Sequence, residues 1–173
     1  VRTGIAEHFG GSTFDDGDQV YRPTPLAAQG LAGVAPYFQE RFRDEVIAIK
    51  GLADGRGRGA VMCVHIGQTK ETRHSTGGIF KVPYAIQLYV WHLSLVPTVQ
   101  DAQADRDDLV EAIIARIHAD PTLGGTVVQA GEGVDGIDIS TPPPVIEPST
   151  STRVRQDTVI SFAAELYPFQ PNM

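Results

Sequence analysis

Six consecutive residues, Asp54-Gly55-Arg56-Gly57-Arg58-Gly59, place two guanidinium groups on a glycine-rich turn that can present cations to a phosphate or an acidic protein surface. The run lacks the Gly-Lys-Ser/Thr ending with which a phosphate loop reaches phosphate and magnesium. Arg56 and Arg58 therefore read first as part of a simple exposed loop and second as candidate partner or nucleic-acid contacts, not as catalysts. The histidines His8, His65, His74, His92 and His118 form no His-x-x-x-His pair, and the one cysteine has no Cys-x-x-Cys partner. Zinc has no local signature here, and each histidine reads as a surface group or a hydrogen-bonded, partly buried one. Cys63 lies in an apolar run and is expected to be buried and inert; a single cysteine excludes an intrachain disulfide. No Gly-x-Ser-x-Gly elbow is present, and Glu132, Asp135 and Asp138 do not follow a calcium-loop spacing. No cofactor or metal is expected. The enzymatic alternative left open is a small hydrolase whose polar residues converge only in the fold.

Aromatic residues supply a second kind of candidate. Tyr84, Tyr89 and Trp91 share one segment, and Phe162, Tyr167 and Phe169 end another. Tyr84 and Phe162 read as core. Tyr89 and Trp91 fall on the opposite parity and are candidates for contact with a helix or another subunit. Arg153 and Arg155, on the polar parity of the last segment, join Arg56 and Arg58 as candidate partner or inter-subunit contacts. A formal net charge of -7 argues against a chain whose main task is gripping a phosphate backbone. A nucleic-acid-binding module using Arg56, Arg58 and exposed aromatics remains an alternative of another class.

The elements that must position these groups follow from periodicity. Over 173 residues, 42% hydrophobic and 20% charged, the composition is that of an ordinary folded domain. No apolar run approaches the roughly 18 residues that span a bilayer, and Val1–Gly4 has no signal core behind it, so a soluble cytosolic chain is expected. Residues 1–23, acidic and broken by glycines, look like an arm or extension, with packing on its own domain as the alternative. Residues 24–173 form the domain. Thr24, Pro25 and the stripe Leu31, Val34 predict a helix, restarted after Pro36 over Tyr37–Phe42. Val46–Lys50 is a weak strand, and Ala60–Ile66 a buried one.

Val82, Tyr84, Ile86, Leu88 and Val90 alternate as one face of a long strand, with Pro83 suited to its beginning or to an edge. A helix starting at Asp101 or Asp105 carries Leu109, Ile113 and Ile117 at i, i+4, i+8, widened by Val110 and Ile114, and stops at Pro121. Thr126–Ala130 predicts a short strand, Ile137 and Ile139 a brief edge, and Pro142–Pro144 an extended spacer. The last strand puts Val154, Thr158, Ile160, Phe162, Ala164 and Leu166 on a dry face and Arg153, Arg155, Asp157, Ser161 and Glu165 on a wet one. The fold class expected is α+β: one domain, a mixed or mostly antiparallel sheet flanked by helices, and an N-terminal extension.

The helix and its exit, Asp107 to Val128 with the phrase Asp120-Pro121-Thr122-Leu123-Gly124-Gly125, resemble the corresponding segment of tail terminator proteins of long-tailed bacteriophages of actinobacteria. The order of elements is similar over roughly residues 25–169; the acidic, glycine-rich start and the Pro/Ser/Thr-rich stretch 140–152 depart from the family. The resemblance implies a structural virion protein of the tail-neck region, assembled in the host cytoplasm, with no catalytic residue to carry over. It implies a homo-oligomer, a sixfold ring that caps the tail tube protein, stops its polymerisation and joins a head-to-tail connector or stopper. DNA would pass through the lumen without sequence-specific binding, and no membrane is involved. A head-to-tail connector or stopper is the neighbouring alternative.

Overall fold

The computed structural model describes residues 1–38, 58–67, 72–73, 80–95, 98–131, 136–147 and 153–166. They form a mixed sheet with one helix at each end of its covered face, as expected for an α+β domain. The elements are α1 (Arg2–Gly10), β1 (Phe14–Asp15), β2 (Val20–Tyr21), a 3-10 turn (Ala27–Gln29), β3 (Leu31–Ala35), β4 (Arg58–Ile66), β5 (Thr72–Arg73) and β6 (Phe80–Ser94). After them come α2 (Val99–Ala119), β7 (Gln129–Ala130), β8 (Ile137–Ser140), β9 (Val145–Glu147) and β10 (Arg153–Leu166).

The sheet runs β1-β2-β3-β4-β6-β10, with β7, β8 and β9 lying in turn against the far side of β10 and β5 pairing with β6. Its spine is the antiparallel pair β6 and β10, in continuous register from Val82↔Leu166 to Ser94↔Val154. The alternation of both strands accounts for this: Ile86, Leu88 and Val90 face the same side as Ile160, Phe162 and Ala164, and one layer buries all six. β3 and β4 pair in parallel, and the long connection over 36–57 is what such a crossover requires.

α2 closes that layer. Thr98 caps it by accepting from the Asp101 amide at 3.1 Å, three residues ahead of the earliest start expected from the acidic residues. Leu109, Ile113 and Ile117 are fully buried, each contributing roughly 1.5–3 kcal/mol of apolar burial.

One segment decides between two readings and another differs from the sequence reading. The N-terminal extension, residues 2–10, is helical and seated on the sheet, with Ile5, Ala6 and Phe9 fully buried, so of the two readings of the start of the chain the structure shows the one in which it packs on its own domain. Gly4 and Gly10 permit that close approach, since a Cβ would run into Thr126 at the first position and Tyr21 at the second. The helix expected from Thr24 is only a 3-10 turn, ended by Gly30 at φ 91°, and Leu31–Ala35 becomes a strand. Leu31 and Val34 satisfy a helical spacing, but pairing with both β2 and β4 buries them in a sheet instead. Residues 39–42 of the second helical stretch and the strand expected at 46–50 lie outside the described residues.

The phrase Asp120–Gly125 folds around one carboxylate. Asp120 Oδ1 accepts from the Thr122 amide (3.1 Å) and hydroxyl (2.5 Å), and Oδ2 from the Gly124 amide (2.8 Å). These bonds, the Thr122 hydroxyl first, hold its pKa below the ordinary carboxylate range. The end of α2 just before this turn seats α1: Arg116 donates twice to the His8 carbonyl, at 3.0 and 2.7 Å, where the end of α1 leaves a carbonyl unpaired within the helix.

Candidate functional site

Of the residues singled out by sequence, the structure brings Tyr89 and Trp91 together, on the sheet face that also carries Arg155, and sets Arg58 apart from them. Arg56 lies outside the described residues, and of Arg153 only the backbone is placed, opposite Glu147 at the start of β10. Arg58 belongs to β4, not to the loop expected over 54–59. Its guanidinium donates to Asp105 Oδ1 at 2.6 Å and to the Ala28 carbonyl at 3.1 Å, and the residue is 8% exposed. That ion pair ties β4 to α2. Arg155 is half-buried on the opposite sheet face, its Nε 4.0 Å from Asp157 Oδ1.

Tyr89 and Trp91 share that opposite face with Val61, Cys63 and Leu93. Their rings stack at 6.4 Å and 25°, and Phe38 meets the indole edge-on at 5.6 Å. Trp91 is buried, Tyr89 half-buried, and Phe38, at 57% exposure, is the most open of the three. Cys63 is buried as expected, and burial pushes its thiol up to about 12, so it is not a thiolate near neutrality.

A polar cluster that sequence reasoning did not assemble lies under the first half of α2. His92, Ser94, Gln156 and Thr158 are each at most 1% exposed and sit on adjacent strands, His92 directly opposite Gln156 and Thr158 opposite Val90. Gln156 Nε2 donates to the Ala102 carbonyl of α2 at 2.7 Å. Both His92 ring nitrogens, Ser94 Oγ, Thr158 Oγ1, Gln156 Oε1 and Arg58 Nε have no hydrogen-bond partner among the described residues. Burial lowers the His92 pKa to about 4; Asp105 opposes this, and Arg58 and Arg106 reinforce it. A nucleophile and base would need a hydrogen bond between hydroxyl and imidazole, and neither Ser94 nor Thr158 makes one. The signal was present in the parity: the dry faces of β6 and β10 turn polar at the same end, where the two strands pair.

The outer flank of β10 offers a different kind of site. β8 covers Val159–Phe162, β9 covers Arg153–Arg155, and between them Pro142–Pro144 pass where β10 positions 156–158, paired with β6 on the inner side, have no strand partner on the outer side among the described residues. Proline explains the gap, because its nitrogen has no hydrogen to give a ladder. On these short strands Ile139, Val145 and Ile146 are 48%, 47% and 57% exposed. Ile139 and Ile146, opposite Ile160 and Val154, stand on the α2 side of this edge, and Val145, opposite Arg155, stands on the other side, so the edge offers exposed aliphatic side chains on both faces, as suits protein contact.

Among the described residues no group of three or more acidic, histidine or cysteine side chains gathers to hold a metal ion, and no helix is long and apolar enough to cross a membrane. No family model matches the chain, and no curated protein matches it.

Proposed function

We propose that this chain is a structural subunit of a bacteriophage tail, a tail terminator whose copies close into a ring on the last turn of the tail tube. The resemblance of Asp107–Val128 to that family motivates the reading. The observation that carries it is the outer flank of β10, where Ile139, Val145 and Ile146 stand half-exposed on strands of four and three residues. An edge of this kind serves a repeated contact between copies: non-identical patches meeting around an axis close into a ring instead of growing without limit. The rigid β6–β10 pair behind it gives each copy a fixed angle. The net charge of -7 suits a collar through which DNA slides, since phosphate attraction to a basic lining would slow release. Ring formation on a tube, attachment to a head-to-tail connector and a tail-neck location are parts of the same proposal, as is the sixfold symmetry.

The test is attachment. Purified protein mixed with cognate tail tubes is expected to cap their ends and halt further growth, seen by negative-stain microscopy and by tube length. Ile146→Lys should leave thermal stability within about 0.5 kcal/mol, as for an exposed position, and abolish capping. Protein that never binds a tube end sinks the terminator reading. Binding to isolated head necks in place of tubes would transfer the chain to the connector class.

A further inference from the structure

The joint between α2 and the sheet changes character along its length. From Leu109 onward, the helix meets the sheet through fully buried aliphatic side chains, Leu109, Ile113 and Ile117. Before Leu109 its buried residues are Ala102 and Arg106, Asp105 and Arg106 lie within electrostatic reach of His92, and two bonds hold the stretch to the sheet, Arg58 to Asp105 and Gln156, opposite His92, to the Ala102 carbonyl. Six buried polar atoms on the strands beneath that stretch find no partner among the described residues, and each unsatisfied buried group weakens the contact that covers it. The first half of α2 is thus docked by less apolar area and against a desolvation cost that the second half does not carry.

We propose that the first half of α2, Val99–Asp108, is a releasable flap over β4, β6 and β10, with His92 beneath it as the trigger: a proton on His92 lifts the flap while Leu109–Ala119 stays docked. The groups that face the ring leave a proton no home inside. From β4 comes Arg58 and from α2 come Asp105 and Arg106; β10 contributes the uncharged Gln156 and Thr158, and β6 itself Ser94. Asp105 is already bonded to Arg58, and Arg106 to Asp107 at 2.9 and 2.6 Å. A charged ring would sit beside two guanidiniums with one committed carboxylate for compensation. Lifting the flap hydrates the ring and uncovers the polar strip Ser94, Gln156, Thr158 along the paired strands.

The neutral ring belongs to the closed state, whose His92 pKa lies below that of a solvated imidazole. The closed state is therefore fully favoured above pH 6.5 and loses ground as the pH falls towards about 4. Between pH 7 and pH 5 that difference raises the open fraction about 20-fold. Hydrogen exchange on the whole chain reads this directly. Protection factors over Ala102–Asp108 should fall about 20-fold from pH 7 to pH 5, while those over Ile113–Ala119 hold within a factor of about 2. His92→Leu should remove the pH dependence. The His92 ring signals in the unmodified protein provide a second readout that needs no variant, with a midpoint well below 6.5 expected. An equal loss along the whole helix, unchanged protection over Ala102–Asp108, a pH dependence that survives in His92→Leu, or a ring that titrates near 6.5 without opening would each overturn the proposal.

Discussion

Around Ile113 and Ile117 the long helix rests on side chains that need nothing but contact; three turns earlier the same helix is bonded to a glutamine that is buried among a histidine, a serine and a threonine. Both stretches are buried, and burial alone would rank them equal. Their chemistry separates them. Apolar contact gains with every atom covered, whereas a buried polar atom is favourable only when bonded, and the polar stretch has more such atoms than bonds. One helix can therefore be a fixed strut at one end and a weakly held cover at the other, with no change in its backbone.

The largest effect should come from breaking the strut. Ile113→Ala removes a fully buried side chain and is expected to cost 2–5 kcal/mol, read by urea unfolding; a cost under about 1 kcal/mol would remove the dry stretch from the core. Arg58→Ala comes next. It leaves Asp105 without its partner under the helix and should cost about 2–3 kcal/mol, with Asp105 side-chain exposure of 22% keeping the loss from being larger. Adding Asp105→Ala to that variant should cost little more, since the pair acts as a unit, and a fully additive double variant would show that the ion pair does not tie strand to helix.

How much of this was legible in the residues divides along the same line. Alternation in β6 and β10 and the i, i+4, i+8 stripe of α2 could be read because long amphipathic elements carry their pattern locally. Leu31–Ala35 could not, because a five-residue strand made by parallel pairing with β4 depends on a partner 29 positions away in the register Leu31↔Ala60. The N-terminal helix was hidden by composition: Ile5 and Phe9 are correctly spaced for one face, but the glycines and acids around them resemble a tail. Arg58 looked like a loop cation because nothing in its own neighbourhood reveals Asp105, 47 residues later. The aliphatic edge at Ile139, Val145 and Ile146 was half visible, as a brief strand at Ile137–Ile139, while the strand beyond the prolines was not foreseen. Of the contact candidates, Tyr89 and Trp91 read from parity as lying on the strand face opposite Ile86, Leu88 and Val90, and they lie there, beside Phe38.

The smallest expected effect discriminates best between the two stretches. If the cover is held back by its own unpaired polar atoms, then deleting those atoms should not hurt. Thr158→Val keeps the shape of the side chain and removes an unpartnered hydroxyl, and Ser94→Ala removes a second. The same exchange in a well-bonded site costs about 1–3 kcal/mol, because the partner is left behind unsatisfied. Here there is no partner to strand, so the double variant should be neutral or more stable by up to about 1 kcal/mol, with slower exchange over Ala102–Asp108 and no change at Ile113. A loss above about 1 kcal/mol would mean that these hydroxyls are bonded in solution, to water held between helix and strands. The polar stretch would then be a second strut and the contrast along α2 would disappear.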